Sequence, residues 1–229
     1  MAGVESKVET KSTCYYLCHH QQLQVKKECQ IDKVSTPQGE LEERLRHIAR
    51  SSAWFMQALE AVRDLELSTW CVGADAVRNL VWDALHDYST PSQLPDVDVA
   101  YFDAADLREE TEADLQRRLR EAMPGIPWEV TNQATVHRWF EAYFGHAVEP
   151  LASLRDAVAS WPEYATAVGL CLHQDDSIEV IAPHGLADLF DCVVRRNPVR
   201  VSMETYRLRI EQKNYASRWP RVTVVHGER

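Results

Sequence analysis

The stretch from Pro95 to Asp103, PDVDVAYFD, sets three aspartates into a run of Val, Ala, Tyr and Phe that reads as a strand. Side chains alternate faces along a strand. Asp96, Asp98, Ala100 and Phe102 therefore share one side, and Val97, Val99, Tyr101 and Asp103 share the other. Residues two apart stand roughly 7 Å apart at Cβ, so the carboxylates of Asp96 and Asp98 can converge on one Mg²⁺ or on a close pair of ions. Carboxylates that face each other repel, and a cation is the natural compensation. The other reading of the same string is a solvated strand edge. Asp103 points away from the pair and ends the strand ahead of the next helix.

Working outward, WCVGA (70–74) reads as a short buried strand ending in Gly73, and Val77, Leu80, Val81, Ala84 and Leu85 give the apolar face of a helix that follows directly. A helix N-terminus opening from a glycine turn is a place for phosphate, through unpaired amides and the helix dipole. The segment from Ser89 to Pro95, with Pro91 and Pro95, is a loop. After PDVDVAYFD, the pairs Asp106 with Glu109 and Thr111 with Asp114 are candidate caps for an acidic, arginine-laced helix reaching Ala122, which PGIP breaks. WEVTNQA is a third strand. Val136, Trp139, Phe140, Tyr143 and Phe144 mark another amphipathic helix.

A further helix precedes WPEY, and YATAVGLCL with IEVIAP forms a later hairpin around a DDS turn. From GLADLF onward the chain reads as mostly helical before a short VTVV end. Before all this, Leu41, Leu45, Ile48, Ser52, Phe55, Leu59 and Val62 fall on one face of a single helix. The order is βαβαβ followed by a helix-rich, basic portion, which predicts an α/β or α+β domain with a small mixed sheet.

The chain has 229 residues, enough for one substantial core with appendages. Residues 1–38 are polar and lack sustained periodicity, so the expectation is an extension with little fixed structure ahead of a domain over 39–229. No apolar run approaches the roughly 18 to 20 residues that span a bilayer, and MAGVESKVETKST has no secretory pattern. Together with scattered cysteines, this predicts a cytoplasmic setting with reduced thiols. The spacing in CYYLCHH with Cys29 matches no zinc ligand pattern.

A net charge of −10 argues against an extended nucleic-acid surface. The charge is uneven, however, with eight Lys or Arg against three acids between Phe190 and Arg221. The tryptophans, mostly on apolar faces, read as core.

The glycine turn, the D-x-D strand and the acid in PWEV together resemble the nucleotidyltransferase superfamily of DNA polymerase β type, which includes the lincosamide and aminoglycoside nucleotidyltransferases. More closely, the chain is similar to a bacterial family of nucleotidyltransferase-like proteins. The matching strings are GADAVRNLVWDALH, PDVDVAYFD, WEVTNQATVHRW, WPEYATAVGL, APHGLADLF and KNYASRWP, running from about Trp54 to Pro220.

The resemblance implies transfer of a nucleoside monophosphate from an NTP such as ATP to a hydroxyl acceptor, with Mg²⁺ or Mn²⁺ as cofactor and release of pyrophosphate. It makes Asp96 and Asp98 metal ligands and Glu129 the third acid, sharing a second ion or accepting the hydroxyl proton. Glu179 competes for that third place. Gly73 corresponds to the turn glycine whose neighbours' amides approach the β- and γ-phosphates. The next position in the superfamily is Gly or Ser, whereas this chain has Ala74 followed by Asp75. That removes a hydroxyl contact and brings a negative charge to an anion site, which motivates a second reading as a catalytically silent nucleotide-binding protein.

Arg78, one turn into the helix, is a candidate phosphate ligand or an exposed helical residue. Asn132, Gln133 and His137 form a polar cluster expected to face the pocket, with His137 either an acid–base group or a packed side chain. Asp188 is a candidate for substrate binding or helix packing, and Asp83 for a helix surface or cap. Arg207, Arg209 and Lys213 lie near one face of a helix, where they supply counter-charge to a triphosphate or remain solvated.

Overall fold

The computed structural model describes residues 36–227. The expected N-terminal extension, with Cys14, Cys18 and Cys29, lies outside these residues apart from its last three, and Gln38 already opens the first helix.

Helices α1 (Gln38–Ser51) and α2 (Ala53–Arg63) lead into β1 (Trp70–Gly73), α3 (Asp75–Leu85), β2 (Val97–Tyr101), α4 (Glu109–Ala122) and β3 (Trp128–Asn132). Then come α5 (Val136–Phe144), α6 (Leu154–Ala159), β4 (Gly169–Leu172), β5 (Ile178–Ile181), α7 (Ala187–Phe190), β6 (Val193–Val194), α8 (Met203–Lys213), α9 (Tyr215–Arg218) and β7 (Thr223–Val224). The five longer strands form one mixed sheet in the order β3-β2-β1-β4-β5. Within this sheet β2 and β3 run parallel, and the β1–β2, β1–β4 and β4–β5 pairs are antiparallel.

The alternation read from the sequence sorts the two faces. Val72, Val97, Val99, Trp128, Val130 and Leu170 pack with Leu45, Phe55, Leu59, Val77, Val81 and Leu119 from α1 to α4 into the main core. Cys71, Ala100 and Ile181 face the other way and meet Leu154 and Val158 of α6, with Phe102 and Trp161 packed alongside. That second layer is thin, and Asp98 lies on its side of the sheet.

Three expectations are corrected. The single helix over 41–62 is two, because Ser52 takes an extended conformation (φ −102°, ψ 103°) and the neighbouring Ser51 hydroxyl bonds back to the His47 carbonyl at 2.8 Å, a serine habit that weakens helix interiors. The hairpin strand starts at Gly169 rather than Tyr164, because Glu163 to Val168 coil into a turn in which Thr166 and Ala167 both donate to the Glu163 carbonyl. The segment after GLADLF is not continuously helical: Val193 and Val194 pair in parallel with Thr223 and Val224. The tryptophans at 70, 82, 128 and 219 are core as expected, whereas Trp139 is 38% exposed.

Candidate active site

Strand β2 carries the centre of the site because its odd positions are claimed by the core. Val97, Val99 and Tyr101 are buried, so Asp98 projects from the opposite face. Its partner on β3 in the parallel register is Glu129. On the other side, β1 pairs Val72 with Val99, and one further step along that ladder sets Gly73 beside Asp98. Across the sheet the row thus reads Glu129, Asp98, Gly73, Gly169, the last two being register partners.

Electrostatics mark this row as an unbalanced acidic site. Burial, then the charges of Asp96, Asp75 and Glu129, push the Asp98 carboxyl up to about 8, with Lys213 pulling the other way. Desolvation and the Asp96 charge raise Glu129 as well. Among the described residues no group of three or more His, Cys, Asp or Glu side chains encloses a ready metal cage. The donor set nevertheless suits a hard divalent cation: carboxylate oxygens on one sheet face, with more negative charge than the nearby Lys213 balances.

Glu179 is elsewhere. It pairs with Cys171 on β4, and its carboxylate lies 3.1 Å from His173 Nε2. Three strand spacings, roughly 14 Å, separate β5 from β2. Of the two candidates for a third acid, the sheet order brings only Glu129 next to Asp98.

The turn after β1 is tightly built. A Cβ placed on Gly73 would stand 2.6 Å from the Trp161 ring and 2.9 Å from the Val168 carbonyl oxygen, so no other residue fits without displacement. Ala74 adopts φ 51°, ψ −123°, a conformation that L residues other than glycine rarely take, and its amide donates to Val168 O at 3.1 Å. Helix α3 begins at Asp75 with no side-chain cap, which leaves its first-turn amides without an intrahelical acceptor.

Asp75 turns inward. Its Oδ1 accepts from Arg78, and its Oδ2 accepts from Lys213 Nζ at 2.6 Å. These two cations hold its carboxyl well below the usual range in spite of burial. The Arg78 side chain is 0% exposed, donates to Asn79 Oδ1 at 2.8 Å and is surrounded by the rings of Trp82, Tyr215 and Trp219. It is an internal counter-ion, which corrects both sequence readings of it.

Asn132 is corrected likewise. It points to the core side of β3, 1% exposed, where its amide bonds the Asp103 backbone on both its N–H and carbonyl, the Asp106 carbonyl and the Ala134 N–H. Gln133 is buried beside it, and His137 is half-buried on α5. Asp188 pairs with Arg195 at 2.8 Å. Asp83, rather than capping its helix, accepts from the Trp219 indole at 2.8 Å and from the Ser92 amide and hydroxyl.

Sequence reasoning missed the centre that joins these strings. Glu163 of WPEYATAVGL, 1% exposed, receives Arg209 Nε at 2.8 Å, the Thr166 hydroxyl at 2.9 Å and the Tyr215 hydroxyl at 3.4 Å. A carboxylate among apolar neighbours was the available signal. Arg209 is therefore committed to Glu163, Arg207 is exposed, and Lys213 alone of that trio reaches the turn.

The geometry is a mixed sheet with an acidic strand beside a glycine turn and a helix that opens without a side-chain cap. A sequence model of the nucleotidyltransferase family matches residues 60–224. The chain belongs to the nucleotidyltransferase family and is a nucleotidyltransferase. A solution structure described as revealing a CCA-adding enzyme head domain superposes with a TM-score of 0.68 at 33% identity, over 86% of this chain and 99% of that one. A tRNA-processing enzyme in an apo form gives a TM-score of 0.42 at 18% identity, over 84% of this chain and 45% of that one. No curated protein matches significantly. Among the described residues no helix is long and apolar enough to cross a membrane.

Proposed function

We propose that the chain transfers a nucleoside monophosphate from an NTP to a hydroxyl acceptor and releases pyrophosphate, using a divalent cation held by Asp96, Asp98 and Glu129. The observation that carries this reading is the in-register pair of Asp98 and Glu129, with Gly73 on the other flank of Asp98. Mg²⁺ or Mn²⁺, when bound, neutralises triphosphate charge and lowers the pKa of the attacking hydroxyl. The chain's own groups do the rest. The first-turn amides of α3 and the Lys213 ammonium bind and orient the triphosphate. Glu129 takes the acceptor's proton on a carboxylate oxygen. The acceptor oxygen bonds to the α-phosphorus as the bond to the bridging α–β oxygen breaks, and that oxygen leaves with pyrophosphate.

The free thiols Cys71, Cys171 and Cys192 support a reducing, cytoplasmic setting. The net charge of −10 favours a compact acceptor over a long nucleic-acid track. Incubation with each labelled NTP and Mg²⁺ tests the reading: pyrophosphate release is expected with the native chain and absent in Asp98→Ala. A chain that neither binds nor turns over any NTP contradicts it, and returns the silent nucleotidyltransferase-fold reading.

A further inference from the structure

The Ala74-Asp75 sequence places an acid at the mouth of an anion site, and the contacts of that acid show what it can do there. Asp75 lies two residues past Gly73, the residue that flanks Asp98 in the β1–β2 ladder. Its carboxylate bridges Arg78, from its own helix, and Lys213, from the last turn of α8, 138 residues away in sequence. One carboxylate with two cations leaves the cluster positive by one charge. Arg78 is sealed behind aromatic rings, so the solvent-facing part of that excess is Lys213, whose side chain is 21% exposed.

Lysine side chains are long and rotamer-rich, and fixing one costs conformational entropy. A charge-assisted bond from a buried, already immobilised carboxylate meets that cost before substrate arrives. The α8 end is braced independently, since Asn214 turns the chain in a left-handed conformation and Tyr215 and Trp219 pack edge-to-face against Trp82 of α3. Both Asp75 and Lys213 lie close enough to Asp98 for their charges to act on its carboxylate.

We propose that Asp75 is a positioning residue that holds the Lys213 ammonium against the glycine turn as the pre-set counter-ion for the triphosphate, replacing the contact a serine hydroxyl would give at position 74. The proposal rests on the nucleotidyl-transfer reading above. Because Asp75 acts through Lys213, its removal loosens nucleotide binding rather than the bond-making step.

The test is calorimetric titration of the full chain with the Mg²⁺ complexes of ATP, CTP, GTP and UTP and with inorganic tripolyphosphate, alongside KM and kcat for any NTP that turns over. Lys213→Gln leaves the Asp75–Arg78 pair in place and is expected to weaken triphosphate binding about 10- to 100-fold, with kcat at saturation changed only a few-fold. Asp75→Asn alone strands the Arg78 charge and can unfold the chain, so Asp75→Asn with Arg78→Met is compared with Arg78→Met alone. The double variant is expected to bind about 10-fold or more weakly than its Arg78→Met reference. Equal affinity in those two overturns the proposal. Acetic anhydride labelling of native Lys213 needs no substitution: tripolyphosphate should protect it, and unprotected labelling at saturating tripolyphosphate overturns the proposal. A native chain that binds none of the five probes overturns the nucleotidyl-transfer reading and this one together. Binding by the native chain that the variants do not change overturns this one alone.

Discussion

Two groups of charges lie on either side of the Gly73 turn, and they are resolved in opposite ways. In the first, each acid is paired with bases, Asp75 with Arg78 and Lys213 and Glu163 with Arg209, with contacts of 2.6 to 3.3 Å from Lys213 to Asp75 and from Arg209 to Glu163. In the second, Asp98 and Glu129 share a sheet face, and burial followed by the nearby Asp96 charge raises the carboxyls of both. Matched buried charges join elements, here α3, the 163–168 turn, α8 and α9. An unmatched set costs stability unless something else supplies the positive charge. The first cluster belongs to the architecture, and on the function proposed above the second belongs to the chemistry, although both occur in strings that resemble the same family.

Substitutions should therefore separate the two clusters by what they damage. The largest effect is expected from Asp98→Asn, which should lower pyrophosphate release by about a thousandfold or more, a loss on the order of 4 kcal/mol in transition-state stabilisation, while leaving the chain folded. Glu163→Gln should do the reverse. It leaves Arg209 without its partner and is expected to cost about 3 kcal/mol in urea unfolding, with activity at low temperature largely retained. If Glu163→Gln unfolds no more readily than the native chain, the structural role given to the matched cluster is wrong.

Acidity offers a second separation. The Asp98 carboxyl rises from 3.8 to about 8 in the folded chain. With no divalent cation in the buffer, the folded state therefore holds a proton between pH about 4 and about 8 that the unfolded state has released. Stability from this group falls as pH rises through that window and levels off above it. Urea midpoints at pH 5 and pH 8 should differ less in Asp98→Asn than in the native chain, and an equal difference in both would count against the unmatched charge.

Smaller effects sharpen the details. Glu129→Gln should reduce turnover about 10- to 100-fold, whereas Glu179→Gln, at the far side of the sheet, should change it less than about twofold. The comparison fails if Glu179→Gln is the more damaging. The smallest expected effect is a gain: Ala74→Gly relieves the positive φ of 51° and should add about 1 kcal/mol to stability, read as a rise in Tm.

Much of this arrangement could be read before the fold was known. The facing of Asp98 away from Val97, Val99 and Tyr101 follows from strand parity, which is local, and the small mixed sheet with flanking helices follows from the order of apolar patterns. What could not be read depends on partners distant in sequence. Glu129 and Glu179 look alike as strand acids, and only the strand order β3-β2-β1-β4-β5 separates them. Arg78 looks like a solvent-facing helical arginine until Tyr215 and Trp219 close over it from 137 and 141 residues later. Asn132 looks like a pocket residue, but its amide is spent on the backbone of the loop after β2. The glycine turn combines both cases: Gly73 was apparent by type, while the neutralisation of Asp75 by Lys213 was not.

The most direct test of the unmatched cluster is to titrate the full chain with Mn²⁺ in the presence of an NTP and to follow bound ion by electron paramagnetic resonance. The expected result is saturable Mn²⁺ binding that is lost in Asp98→Asn and retained in Glu179→Gln and Glu163→Gln. Binding that survives Asp98→Asn undiminished, or a native chain that takes up no Mn²⁺, would contradict the assignment of Asp96, Asp98 and Glu129 as the site.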